Sequence, residues 1–270
     1  MYKSTELNLN KDESNTSQKK ELININKNSN SKDEIILEKE GSEYVIKKTW
    51  KDVRRGVNSI KKQIEFDEIR ISSLIVRSPT IYSTQNVSDK NFVAKMEYVC
   101  GHSGSDITKN GSRKISLSPK NALSMILSKN IESSVIEKIN CNVFINKIDS
   151  IISSAKFIDE FQDEIIFLRD KFKRHKNIEI PVGPCHGDLT LSNVIVSPTG
   201  SLNLIDFLPT FIESPLWDIV KINQDLNYGW SYRHLDGPAN ASAKLFFQSC
   251  LPNQLDLYNK VWGKQISLFN

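Results

Sequence analysis

The four cysteines never pair up along the chain. Cys100, Cys141, Cys185 and Cys250 are widely scattered, with no C-x-x-C pair and no histidine-rich tract beside them. That pattern argues against both a disulfide framework and a zinc site. No apolar run approaches the roughly 20 residues needed to span a bilayer. The opening stretch MYKSTELNLNKDESNTSQKK is polar and lacks the apolar core of a secretory signal. A soluble, reducing, cytoplasmic setting without a membrane partner is therefore expected. Charge excess is also small: +4 over 270 residues suits an anionic small ligand as well as a nucleic acid. The basic run KFKRHK at 171–176 reads as a helix C-terminus complementing its dipole, so no nucleic-acid partner is expected. Internal repeats are missing, as is any glycine-rich G-x-G-x-x-G. What remains is 39% hydrophobic and 25% charged residues, enough for the core of one large domain or two small lobes.

The chain changes texture near Gly101. Residues 1–20 read as a frayed leader, rich in Ser, Asn, Lys and acids. Residues 21–100 read β-β-β-α-β-β: strands at LININ, EIILEK and EYVIKKTW, a helix over 53–71 with Val57, Ile60 and Ile64 on its apolar face, and strands at SPTIYST and FVAKMEYVCG. Residues 101–270 read as mostly helical. KNALSMILSKN, VIEKINCNVFINKIDSII and FIDEFQDEIIFLRDKFKRH carry helical periodicity, the last with Phe161, Ile165, Leu168 and Phe172 on one face. Strands return between His186 and Phe207, and helices from Pro215. The expected architecture is α+β, with a small β-rich N-lobe and a mostly helical C-lobe.

HGDLTLSNVIV, from His186 to Val196, holds an acid, an amide and an imidazole in an otherwise apolar stretch. Unpaired polar groups are costly inside a core, so these residues need a reason. SPTG follows VIV, and its proline and glycine suit the turn of a β-hairpin returning through SLNLID. A hairpin sets its two ends side by side, which gathers Asp188, Asn193 and Asp206 at one mouth. Two carboxylates and an amide are hard oxygen donors, suited to Mg²⁺ when substrate phosphates complete its shell. One acid can hold metal while the other accepts a proton from an attacking hydroxyl.

HGDLTLSN, LIDF and SPLWDIV occur in that order between residues 184 and 221. The set resembles the aminoglycoside phosphotransferase and choline kinase group, small-molecule kinases of protein-kinase-like fold, whose hallmark is H-G-D-x-x-x-x-N, then I-D-[FW], then a P-x-x-D helix start. The resemblance implies Asp188 as catalytic base, Asn193 and Asp206 as magnesium ligands, Asp218 as a brace for the catalytic loop, and His186 as a packing residue of that loop. It also implies a third-strand lysine on the α- and β-phosphates of ATP or GTP. Lys47 and Lys48 face opposite ways, and Lys47 is chosen because it shares a face with Val45, as the kinase lysine does with the residue two before it. Its helix partner is expected to be Glu65 or Glu68, with Glu65 favoured by its apolar flanks. KMEYVCG resembles the interlobe hinge, with Met96 guarding the adenine pocket and the Glu97 carbonyl and Val99 amide bonding the purine. In place of the missing glycine loop, Ser29, Asn30 and Ser31 offer hydroxyls and amides to the phosphates.

Leu208 stands where the group has glycine after Asp-Phe, a departure that bears on the metal loop. Three rivals are weighed against the kinase reading. A catalytically silent nucleotide-binding scaffold has no chemical need of the whole set Lys47, Asp188, Asn193 and Asp206. A glycosidase using Asp188 and Asp206 leaves Asn193 and Lys47 unexplained. A protein substrate finds no A-P-E block in the chain. Beyond Asp218 the sequence has Asp225, Asp236 and Asp256 and no glutamate. That scarcity of acid tilts the expected acceptor from a polycation towards a neutral sugar, amino alcohol or glycan precursor. Tyr228, Trp230 and Tyr232 would line its site or pack in the core.

Overall fold

The computed structural model describes residues 22–24, 33–71, 74–111, 113–154 and 161–232. Two hydrophobic cores organise it. The first lies under an antiparallel sheet of order β1-β2-β3-β7-β6: β1 (Leu22–Asn24), β2 (Glu34–Glu40), β3 (Glu43–Trp50), β6 (Ile81–Asn86) and β7 (Phe92–Glu97). Helix α1 (Val53–Ile64) packs on this sheet, with Trp50, Ile60, Phe92, Ala94 and Met96 buried between them. Asp52 caps it by accepting from the Arg55 amide. Close approach is possible because Gly56 lies on the sheet, where a Cβ would come within 2.6 Å of the Phe92 ring.

This helix differs from the expectation. It ends at Ile64 rather than near 71, and its buried face is Gly56, Ser59, Ile60 and Gln63, leaving Val57 and Ile64 exposed. Residues 69–77 instead form a hairpin, β4 (Ile69–Ile71) with β5 (Leu74–Arg77). That hairpin pairs away from the first sheet: β5 runs parallel to β12 (Leu202–Leu204), in a second sheet of order β4-β5-β12-β11-β8 with β11 (Val194–Val196) and β8 (His102–Ser103). The two regions are therefore interlocked, with strands from before residue 100 in the second sheet.

The larger core lies below, among α2 (Gly104–Asn110), α3 (Arg113–Glu132), α4 (Asn142–Ser154), α5 (Gln162–Lys173) and α6 (Pro215–Tyr228). Ile126, Leu127, Leu189, Leu191, Leu204, Leu216, Ile219 and Leu226 are buried there. Expected helix 135–152 is a strand followed by a helix. Strand β9 (Val135–Asn140) pairs antiparallel with β10 (Asn177–Val182), and α4 follows. On α5, Phe172 is buried and Ile165 and Leu168 pack partly against the core, while Phe161 is exposed just before the helix.

Candidate active site

The site is built around a turn that only glycine permits comfortably. Gly187 sits at φ +87, in the left-handed region, and a Cβ there would lie 2.1 Å from the Leu208 carbonyl oxygen. Beneath the turn, the fully buried Asp218 of α6 accepts from the amides of His186 (2.7 Å) and Gly187 (2.8 Å). Burial pushes the Asp218 carboxyl up to about 7, against the two amide bonds that favour its charged form. His186 is buried as well. Its Nε2 bonds the Ile205 carbonyl at 2.8 Å, its Nδ1 accepts from the Asp188 amide at 3.3 Å, and its ring lies 4.3 Å from that of Phe207. Burial brings the imidazole down to about 4, so it is neutral at pH 7 and serves as packing and acceptor.

These two groups oppose one another on acidification. Below pH 6.5 an unfolded chain protonates the histidine, whereas the folded one resists until about pH 4. Folded stability therefore drops as pH falls through that window, by about 1.4 kcal/mol per pH unit. Asp218 acts oppositely: its proton is retained in the folded state between about 3.8 and about 7, so its contribution is lost as pH rises. The slopes cancel between about pH 4 and 6.5. Replacing His186→Gln should unmask Asp218, so that the variant's stability deficit against the parent is smallest near pH 4.5 and widens towards 6.5. Urea titrations at four pH values check this, and a constant deficit would refute it.

Asp188 follows the turn, with its side chain 31% exposed. Its Oδ1 receives Lys221 Nζ of α6 at 3.0 Å, and the Asn193 amide nitrogen donates to its carbonyl (2.8 Å) and to its Oδ2 (3.2 Å). Asn193 closes a 3₁₀ turn, Leu191–Asn193, just before β11. The β11–β12 hairpin has Val194 opposite Leu204, and the Ile205 amide donates to the Asn193 carbonyl at 3.0 Å. That pairing brings Asp206, one residue on, beside Asn193. Asp206 adopts φ 61, rare for a residue with a Cβ.

Asp206 receives Lys48 Nζ at 2.6 Å. Desolvation by the surrounding chain opposes its ionisation although the side chain is 42% exposed, and the Lys48 ammonium outweighs this and holds its carboxyl below the usual range. Lys48 also lies 5.0 Å from the centre of the Trp50 ring. The β3 lysine that pairs with Asp206 is Lys48, whereas the expected Lys47 does not. On β3, Ile46, Lys48 and Trp50 share the face towards α1, whereas Val45 and Lys47 share the other, and Lys47 pairs with Glu38 at 3.6 Å. Among the described residues neither expected helix partner forms an ion pair with Lys47 or Lys48. Glu65 caps the end of α1 and pairs with Lys61 at 3.8 Å, and Glu68 pairs with Arg70.

The segment expected to form the hinge is anchored by a bond not foreseen from sequence. Glu97 takes both arms of Arg77 at 2.6 Å and the Thr80 amide at 3.1 Å, and the Arg77 guanidinium holds its carboxyl below the usual range. Met96 is buried against the first core and Val99 is half-buried. Ser29, Asn30 and Ser31 lie outside the described residues. Cys185 and His186 diverge as adjacent residues should. The thiol bonds Glu213 at 3.1 Å, and burial drives its pKa far up, which favours the neutral thiol over a thiolate.

Asp225 was missed as a scaffold residue. It is fully buried and accepts from the Leu191 amide (2.5 Å), the Ser231 amide (2.8 Å) and the Ser231 hydroxyl (2.7 Å), tying the loop after Asp188 to the end of α6. It is therefore no acid of an acceptor pocket. The signal was present: an i, i+7 spacing from Asp218 puts both on one helix face. Tyr228 is 83% exposed, so core packing does not account for it.

Among the described residues no cluster of three or more His, Cys, Asp or Glu forms a metal cage. One carboxylate and one amide oxygen still fit Mg²⁺, a cation that keeps water or phosphate oxygens in its shell. Asn193 commits its nitrogen to Asp188, leaving its oxygen as the free acceptor. Also among the described residues, no helix is long and apolar enough to cross a membrane.

No protein-family model and no curated protein matches the sequence. Solved structures do match. The chain is similar to aminoglycoside phosphotransferase APH(4)-Ia, with TM-score 0.53, 12% identity and 92% of each chain covered. A thermostable mutant of that protein, in ternary complex with ADP and hygromycin B, superposes with TM-score 0.52 at 11% identity over 92% of each chain. Aminoglycoside-3'-phosphotransferase of type VIII gives TM-score 0.51 at 12% identity, over 86% of this chain and 92% of that one. Such identities establish architecture, and together with the interlocked lobes they show that this chain has the protein-kinase-like α+β fold of the aminoglycoside phosphotransferases.

Proposed function

We propose that this protein is a small-molecule kinase, transferring the γ-phosphoryl group of ATP or GTP to a hydroxyl. The observation that carries the reading is a pair of contacts at one end of the β11–β12 hairpin: Lys48 of β3 on Asp206, and Asn193 on Asp188. A solved neighbour of the same fold holds ADP and hygromycin B together, which supports a nucleotide and a hydroxylated acceptor as the ligands here.

In this reading Asp188 accepts the hydroxyl proton and aims the oxygen, with Lys221 and Asn193 fixing its carboxylate. Lys48 leaves Asp206 for the nucleotide phosphates. Asn193 and Asp206 would hold Mg²⁺, which supplies charge neutralisation on the phosphate oxygens. The nucleotide base would lie beside Met96 and take backbone bonds from Glu97 and Val99. Positioning and charge stabilisation then account for most of the catalysis. The acceptor side holds a cation, Lys221, and the two acids of α6 in the described residues are buried on backbone amides. That favours a neutral sugar or a similar hydroxyl compound over a polycationic aminoglycoside, and the exposed Tyr228 suits the flat face of a sugar ring.

A second reading, a silent nucleotide-binding scaffold, draws on the lack of a helix carboxylate opposite Lys48. Nucleoside diphosphate release from ATP and from GTP, with Mg²⁺ and pools of sugars, amino alcohols or aminoglycosides, separates the two. Stimulated release supports the kinase; nucleotide binding without release in any pool supports the scaffold. In the same assay Lys48→Met should lower turnover about 100-fold, the scale of one lost electrostatic contact to the transition state. Lys47→Met should stay within about threefold of the parent.

A further inference from the structure

In kinases of this architecture, an ion pair between the strand lysine and a helix glutamate couples the helix to the site. That device is missing here. Helix α1 reads VRRGVNSIKKQI and contains no carboxylate. The helix does carry a cation that crosses to the other core. Lys62 Nζ donates to the Leu208 carbonyl at 2.9 Å, contacts Cys185 Sγ at 3.4 Å and pairs with Glu213. The Lys62 side chain is 15% exposed, so the ammonium is shielded, while the Glu213 side chain is 43% exposed and reaches water. Glu213 is held in turn by the Thr210 amide at 3.0 Å, and with Lys62 beside it its carboxyl stays below the usual range despite burial.

The Leu208 peptide is the important partner. Its amide donates to the His186 carbonyl at 3.0 Å, and its carbonyl lies against Gly187. Leu208 follows Asp206 by two residues, and Asp206 is held in a backbone conformation that its neighbours must impose. One ammonium therefore bonds the peptide that connects the Asp206 segment to the Gly187 turn.

We propose that Lys62 is a positioning residue for Asp206: through the Leu208 carbonyl and Glu213 it ties α1 to the metal-binding segment, with the charges reversed from the usual helix acid and strand lysine. The tie rests on the reading of Asp206 as a magnesium ligand. It places Leu208, an oddity beside the glycine of related kinases, in a fixed segment where glycine's freedom is not needed. It also leaves Lys48 without a competing helix acid.

The test is AMP-PNP binding by calorimetry, with and without Mg²⁺, to the parent, Lys62→Met, Lys62→Arg and Glu213→Gln. Lys62→Met should lose about tenfold of the affinity gained from Mg²⁺, the scale of a lost outer-shell partner, and keep its metal-free affinity within about twofold. Lys62→Arg should restore most of the gain. Glu213→Gln leaves the Leu208 bond in place, should fall between, and serves if Lys62→Met does not fold. An unchanged Mg²⁺ gain in both Lys62→Met and Glu213→Gln overturns the tie. Equal losses with and without Mg²⁺ also overturn it, by showing simple packing. A parent that binds AMP-PNP with no Mg²⁺ gain removes the metal role of Asp206, and the tie with it.

Discussion

Asp188→Asn should lower turnover about 1000-fold with an unchanged fold, because general-base removal typically costs 10²- to 10⁴-fold. The substituted amide keeps the size of the carboxylate and loses its charge and its proton affinity. Its immediate partners tolerate the change. Lys221 and Asp188 are each about one-third exposed, so losing their pairing leaves an ammonium that water can solvate. The Asn193 nitrogen retains its 2.8 Å bond to the Asp188 carbonyl, which is backbone and unaffected. Unfolding stability should therefore stay within about 1 kcal/mol of the parent. Nucleotide KM should stay within about twofold, since the base acts on the acceptor oxygen and not on the donor. A drop in kcat with no change in that KM is the expected signature. Equal turnover by parent and variant would exclude Asp188 as the base.

The cleft was legible in sequence where its geometry is local. HGDLTLSN, SPTG and LIDF lie within one hairpin and its flanks, so turn chemistry and strand alternation were enough to bring Asn193 and Asp206 together. Asp218 was legible through the resemblance of SPLWDIV to the P-x-x-D helix start. What failed depended on distant partners. Alternation separates Lys47 from Lys48 but does not say which face of β3 turns to the cleft; α1 decides that by covering Ile46 and Trp50. Glu65 and Glu68 were chosen on the premise of a helix reaching 71, and the chain leaves the helix at Glu65 instead. The role of Lys62 was hidden for the same reason, since Glu213 is 151 residues away.

Strands β4, β5 and β9 were hidden by a different cause. IRI and LIVR are too short for periodicity to tell strand from buried helix, and VIEKIN gains its identity from pairing with β10. Sheet preference is largely a matter of such neighbours. The aromatics at the end of α6 and beyond were ambiguous between core and site, and the exposure of Tyr228 takes that residue out of the core.

Asp218→Ala should destabilise the protein by about 3–5 kcal/mol, because it orphans two buried donors at once. The amides of His186 and Gly187 each point at one carboxylate oxygen, and neither has water to turn to. An unmade bond to a buried group costs about 1–3 kcal/mol. The cavity left by the carboxyl adds to that, though burial of the acid itself gives some relief when it is removed. Asp218→Asn should cost less, about 1–3 kcal/mol, since the amide oxygen still serves one donor while its nitrogen faces the other. Urea titration at pH 7 measures both. The two variants should also separate in pH dependence. In the parent the Asp218 contribution falls as pH rises from about 4 to about 7, because the unfolded chain gives up that proton while the folded one keeps it, and this offsets the rising His186 contribution; both variants lack the Asp218 part. The stability gap between parent and Asp218→Asn should therefore narrow as pH rises across that window. A gap that widens would mean the carboxylate is favoured in the folded state, and that the two amide bonds outweigh burial.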